Sequence, residues 1–118
     1  MDLLAVRLIT QRLSHVIETF PFNESTLVCK VGGKMFLLID IYLQDSLTLK
    51  VQPEKATELI ELYDWISPGY HMNKVHWISV NLISLQSDPK LISELIQDSY
   101  LLVYQKLPKR IQNELKIG

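Results

Sequence analysis

Cysteine is almost missing from this sequence: Cys29 is the only one. A lone thiol excludes an internal disulfide and a multi-cysteine zinc site, and it favours a reducing compartment; no disulfide-linked partner is expected. Glycine and proline are also scarce, at 4 and 5 residues, which leaves no room for a low-complexity linker. Charge of either sign is not in excess. The 12 Lys and Arg oppose 13 Asp and Glu for a net charge of −1, so the strongly basic balance of an avid nucleic-acid binder is absent. No long apolar run occurs. Residues 1–20 are apolar at helical spacing, but Asp2, Arg7, Arg12, His15 and Glu18 interrupt them. They form neither a signal-peptide core nor a membrane span, and the expectation is a cytoplasmic protein without a membrane partner.

What is present is 118 residues, 47% hydrophobic, enough for one continuous core and one domain over residues 1–118. Charge is mildly segregated. Residues 53–69 carry Lys55 against Glu54, Glu58, Glu61 and Asp64, whereas residues 104–110 carry Lys106, Lys109 and Arg110 with no carboxylate. Any contact with a polyanion must therefore come from a local patch.

Val6, Ile9, Leu13, Val16, Ile17 and Phe20 recur at steps of three and four, which predicts one N-terminal helix ending before Pro21. β-Branched and aromatic residues then dominate three runs, Thr26 to Val31, Lys34 to Ile41 and Ser46 to Val51, split by Gly32-Gly33 and Gln44-Asp45. This predicts a three-stranded meander. A two-residue Gly-Gly turn pairs Val31 with Lys34 and Lys30 with Met35. Pro53 opens a second helix with an acidic outer face. Two short strands flank Asn73-Lys74, and Asp88 as N-cap with Pro89 at the first position opens a third helix through Val103. A last helical turn follows Pro108. The order predicts an α+β fold: a five-stranded antiparallel sheet in two hairpin units, with helices on one face.

The segment Pro68 to Trp77 gathers His71, Lys74, His76 and Trp77. With a two-residue turn at Asn73-Lys74, His71 lies opposite His76 and Tyr70 opposite Trp77, so one pair faces the core and the other the surface. Exposed imidazoles beside Lys74 suit phosphate; an exposed Trp77 offers a plate on which bases stack. The bland alternative makes Tyr70 and Trp77 core aromatics and leaves both histidines solvated. His71 and His76 lack the third and fourth ligands of a zinc site. No complete catalytic set is found: Cys29 reads as a core thiol, Ser79 near His76 lacks an orienting group, and Gly32-Gly33 lacks the features of a phosphate loop. No enzymatic activity and no cofactor are expected. Lys30 and Lys50 sit mid-strand among apolar neighbours, either as phosphate contacts or as charges that block edge-to-edge aggregation. In the Gly-Gly register Lys34 projects opposite Lys30. Glu54, Glu58 and Glu61 share one side of the second helix, an arrangement that is ordinarily solvated.

The runs Lys30-Val31-Gly32-Gly33-Lys34-Met35-Phe36, Leu47-Thr48-Leu49-Lys50 and Pro68-Gly69-Tyr70-His71-Met72-Asn73-Lys74-Val75-His76-Trp77 resemble the bacterial MmcQ/YjbR family. Leu95-Ile96, Ser99-Tyr100 and Lys106-Leu107-Pro108-Lys109 continue the likeness over nearly the full length. The resemblance implies a CyaY-like fold with two hairpins described as a double wing, and a DNA-binding role of low sequence selectivity. Carried onto this sequence, its recurring positions are Lys30, Lys34, Phe36, Lys50, His71, Asn73, Lys74, His76 and Trp77. DNA is thus the expected partner, and a protein-binding module without nucleic acid is the competing expectation. A metal-recruiting acidic ridge at Glu54, Glu58 and Glu61 would be a third. Oligomeric state is not legible in the sequence.

Overall fold

A computed structural model describes residues 1–69 and 72–117. In chain order its elements are α1 (Leu3–Thr10), β1 (Ile17–Thr19), β2 (Thr26–Val31), β3 (Lys34–Asp40), β4 (Ser46–Lys50), α2 (Pro53–Leu62), β5 (Ile66–Pro68), β6 (Trp77–Asn81), α3 (Pro89–Lys106) and α4 (Lys109–Ile117). The strands form one antiparallel sheet in the order β1-β2-β3-β4-β6-β5. The α+β expectation holds, with six strands rather than five.

The extra strand comes from the segment expected to prolong the first helix. α1 stops at Thr10, and the backbone tightens as the Arg12 and Leu13 amides donate to the carbonyls of Ile9 (3.2 Å) and Thr10 (3.1 Å). His15 then takes φ +65°, a left-handed conformation that reverses the chain. Ile17-Glu18-Thr19, rich in β-branched residues, completes the free edge of β2. Two contacts hold this turn. Arg7 Nε and Nη2 donate to the Glu18 carboxylate at 2.7 and 2.8 Å, and the Tyr100 hydroxyl donates to the Ser14 carbonyl at 2.7 Å. Ile17 and Phe20 consequently face solvent instead of the core.

The main core lies on the helix-covered side of the sheet. Leu27, Cys29, Val31, Phe36, Leu37, Ile39, Leu47, Leu49, Ile66, Ile78 and Val80 meet Val6 of α1, Ala56 and Leu59 of α2, and Ile92, Leu95, Ile96 and Val103 of α3. α3 begins as expected, with the Asp88 carboxylate accepting from the Lys90 amide at 3.0 Å and Pro89 at the first position. A register shift between Cys29 and Lys30 leaves Phe36 without a strand partner on β2. Such a bulge turns Phe36 and Leu37 both toward the helices. There the Phe36 ring meets Tyr100 edge-on at 5.6 Å, and the buried Ser99 hydroxyl donates to the Phe36 carbonyl at 2.7 Å.

The other sheet face carries a smaller cluster of Val28, Leu38 and Trp77, flanked by Met35 and Met72. A row of paired positions, Val28, Leu38, Thr48, Ser79 and Ser67, crosses this face from β2 to β5. Among the described residues no helix is long and apolar enough to cross a membrane.

Candidate functional site

The Gly-Gly hairpin has the expected register, Lys30 opposite Met35 and Val31 opposite Lys34. Gly32 and Gly33 adopt φ +57° and +79°, conformations glycine enters without Cβ strain. The tip is not a free finger. A Cβ on Gly32 would stand 2.5 Å from Leu107 Cδ1 and 3.3 Å from Ile111 Cγ2, so the missing side chain lets the tip dock on the α3–α4 corner. Lys34, exposed just past the tip, is thereby brought to the C-terminal end of α3, where Lys106 lies.

Lys50 closes the group. It is the last residue of β4, half-buried, and directly opposite Trp77 on β6. Its Nζ stands 5.1 Å from the centre of the Trp77 ring, where a cation is attracted to the negative π face. Burial, then the Lys106 charge, then the Lys34 charge hold the Lys50 ammonium below the usual lysine range. The ring orients Nζ while burial and two like charges loosen its proton. The ion pair of the described residues is Arg7–Glu18, which ties α1 to β1, and no carboxylate is among the charges acting on Lys50.

Trp77 is 4% exposed, packed with Val28, Leu38, Met35 and Met72. This corrects its placement among the contact residues. A buried indole presents no stacking plate for a base; it seals the sheet and carries Lys50.

The second hairpin also differs in register. β5 and β6 pair Ile66 with Val80, Ser67 with Ser79 and Pro68 with Ile78, and the Gly69 amide continues the ladder to the Trp77 carbonyl at 2.9 Å. Trp77 thus faces Gly69, one position earlier than expected. The reason is steric: a Cβ on Gly69 would lie 2.6 Å from Trp77 Cβ and 2.9 Å from its carbonyl oxygen. Only glycine lets the strands close at that point. Tyr70 and His71 lie outside the described residues, so the expected His71–His76 and Tyr70–Trp77 pairs are not described.

Asn73 organises the rest of that loop. Its side-chain oxygen accepts from the Val75 amide at 2.9 Å and its carbonyl from the His76 amide at 3.2 Å. This is a side-chain-capped turn rather than a two-residue hairpin turn. Lys74 is exposed at its crest, and His76 is half-buried, its carbonyl accepting from the Val51 amide at 2.9 Å. Lys30 is half-buried on the outer face beside Ile17 and Met35, and it is not among the charges acting on Lys50. Lys34 and Lys106 are thus the two lysines whose charges act on Lys50, and Lys106 was not among the expected contact residues. The signal for Lys106 was the carboxylate-free run of residues 104–110.

Other candidates sort by burial. Cys29 is 1% exposed, and burial, then Glu18, push its thiol up to about 12. The Asp40 carboxylate accepts from the Tyr42 and Leu43 amides at 2.9 Å each, which is turn chemistry. Glu54, Glu58 and Glu61 are exposed on α2, and among the described residues no group of three or more His, Cys, Asp or Glu side chains is placed to hold a metal ion.

A family model named YjbR matches residues 11–102. The chain belongs to the YjbR family. A relative from Escherichia coli O157:H7, the uncharacterised protein YbdF, is 39% identical over 107 residues, covering 90% of this chain and 87% of the relative. The crystal structure of Deinococcus radiodurans protein DR2400, with the domain DUF419, superposes with a TM-score of 0.87 at 42% identity, covering 94% of this chain and 85% of that one. A Pseudomonas syringae protein superposes with a TM-score of 0.71 at 29% identity, covering 87% and 99%. The YjbR match spans the Gly-Gly hairpin, the Pro-Gly-Tyr-His-Met-Asn-Lys run and most of α3, so both hairpins belong to one family unit.

Proposed function

We propose that this YjbR protein binds DNA with low sequence selectivity, contacting phosphates through the corner formed by Lys34, Lys50 and Lys106, with Lys74 as an outlying contact. The observation that carries the reading is that the Lys106 and Lys34 charges both act on Lys50 with no carboxylate among them, which concentrates positive potential on a chain whose net charge is −1. A polyanion relieves that repulsion. Each lysine that replaces a condensed counterion adds affinity at low salt, and no base edge has to be read. The first wing works from a docked hairpin: its tip is braced on Leu107 and Ile111, so Lys34 meets a phosphate with little loss of backbone freedom.

A mobility-shift or anisotropy titration of duplex DNA over a salt series tests this. Binding is expected in the weak range of roughly 10⁻⁴–10⁻⁶ M at physiological salt, tightening as salt falls. Lys34→Gln, Lys50→Gln and Lys106→Gln should each flatten the log K against log salt plot by about 0.9 for every phosphate the variant no longer neutralises. Lys55→Gln on the acidic helix should leave it unchanged. No binding at low salt, or equal binding by all variants, rejects the reading.

A protein-binding module is the second reading, favoured by one observation. Leu4 and Leu8, four residues apart on α1, are 66% and 52% exposed. The Leu3 amide donates to Gln44 Oε1 at 2.8 Å, which brings the loop that carries the exposed Tyr42 and Leu43 to the N-terminal end of the same helix. Failure of DNA binding at low salt would make this apolar patch the leading surface.

A further inference from the structure

We propose that the end of the sheet opposite the Gly-Gly hairpin docks a protein partner through a segment in which one arginine or lysine is flanked by apolar side chains. The inference rests on the second reading above, that this end of the chain binds protein, and it adds the partner's chemistry. It is independent of DNA binding: β3 runs from Lys34 at one end of the sheet to Asp40 at the other.

Two turns build this end in the same way. The Asp40 carboxylate, at the end of β3, accepts from the Tyr42 and Leu43 amides at 2.9 Å each. The Asn81 side-chain oxygen, at the end of β6, accepts from the Ile83 and Ser84 amides at 3.0 and 3.2 Å. The turns are joined, because Ser46 pairs with Asn81 and the Leu82 amide donates to the Asp45 carbonyl at 3.0 Å. Each presents two large apolar side chains to solvent, Tyr42 and Leu43 from one and Ile83 and Leu85 from the other, all more than two-thirds exposed. Carried on backbone that is already hydrogen-bonded, they form an apolar surface that loses little freedom on docking.

Where the turns join, the outer sheet face carries an open hollow of about 230 Å³, lined by Asp45, Ser46, Ser67, Ser79, Asn81 and Ile83. The Asp45 carboxylate is exposed and has no hydrogen bond or ion pair among the described residues. Residues 40–45 and 81–88, the two turns, carry Asp40, Asp45 and Asp88 and no Lys, Arg or His. This end is thus complementary in charge to a cation. A guanidinium or ammonium only donates hydrogen bonds, and the hollow offers it carboxylate and hydroxyl oxygens. Apolar groups on either side of that cation then rest on Tyr42 and Leu43 and on Ile83 and Leu85, so that water is kept from the charged pair. The same carboxylates repel an anionic lipid surface.

The experiment is a selection of short random peptides displayed on phage against the full chain, followed by anisotropy titration of the enriched peptides. These are expected to carry Arg or Lys with apolar residues on both sides. Asp45→Asn should weaken the tightest of them by about tenfold or more. Leu43→Ser and Ile83→Ser should weaken them by a smaller factor, and all three variants should keep the native melting temperature because the positions are exposed. Lys34→Gln, at the far end, should bind as the native chain does. Replacing the basic residue of the peptide by Gln should match the loss from Asp45→Asn, and the two changes together should add little, as a direct pair requires. Enriched peptides without a basic residue, or peptides indifferent to Asp45→Asn, overturn the inference; if Leu43→Ser and Ile83→Ser still weaken them, the protein-binding reading survives alone. No enrichment, or attachment to phosphatidylcholine vesicles in place of peptides, overturns both.

Discussion

The two hairpins of the sheet are anchored at opposite ends. β2–β3 turns tightly at Gly32-Gly33 and rests its tip on Leu107 and Ile111, so its far end is held by helices. β5–β6 is pinned where Gly69 closes on Trp77, and among the described residues of its connection Met72 packs on the outer cluster and Asn73 caps a turn with its own side chain. The difference teaches where each can carry function. A tip braced on a rigid corner holds Lys34 next to Lys106 with a defined geometry. A loop held by side-chain hydrogen bonds to its own amides presents Lys74 less firmly, because exposed backbone contacts open at low free-energy cost.

The largest expected effect comes from removing the base of the second hairpin. Trp77→Ala empties the outer cluster and should cost about 3–5 kcal/mol in urea or thermal unfolding, the usual range for a buried large aromatic. It should also release Lys50 from its platform. A loss under about 1 kcal/mol would show that the outer cluster is not a second core and would erase the contrast between the hairpins.

Glycine replacements sharpen the contrast next. Gly69→Ala forces a methyl group against Trp77 Cβ and backbone, which cannot yield as a side-chain tip can, and should destabilise by about 1–3 kcal/mol. At the first hairpin, Gly32→Ala meets both left-handed backbone strain and the Leu107 side chain, whereas Gly33→Ala meets open space and only the strain of about 1–2 kcal/mol. Gly32→Ala should therefore exceed Gly33→Ala. Equal losses would mean that the tip is not braced on the corner.

At neutral pH the smallest effect belongs to Cys29, mid-strand in the first hairpin. Its folded thiol titrates near 12 against an ordinary value of 9.0. A group whose folded value is raised contributes stability that is complete below the ordinary value and is lost as pH climbs through the window from 9.0 to about 12. Stability measured by denaturant should therefore fall more steeply above pH 9 in the native chain than in Cys29→Ala. Thiol labelling at pH 8 should be slow until the hairpin opens. Prompt labelling would place Cys29 outside the core.

Elements governed by near neighbours in the chain were legible from the residues. Gly32-Gly33 dictated a tight turn and hence the pairing of Lys30 with Met35; Asp88-Pro89 and Pro53 marked helix starts. Helical periodicity misled at residues 11–20, because apolar spacing of three and four does not reveal a chain reversal at His15 or the pull of an unfilled sheet edge. The second hairpin slipped by one position because its register depends on the absence of a side chain at Gly69 opposite a bulky Trp77, a contact between strands.

The sequence by itself determined the α+β class, the meander, the helix caps and a Lys-rich resemblance, since propensity, turn chemistry and capping act over a few residues. Tertiary structure alone decided that Trp77 lies buried beneath Lys50, that β1 completes the sheet, and that Lys106 joins Lys34 and Lys50. Charge proximity and burial are properties of packed surfaces, and residues more than fifty positions apart become neighbours only when a hairpin tip docks on the end of a helix.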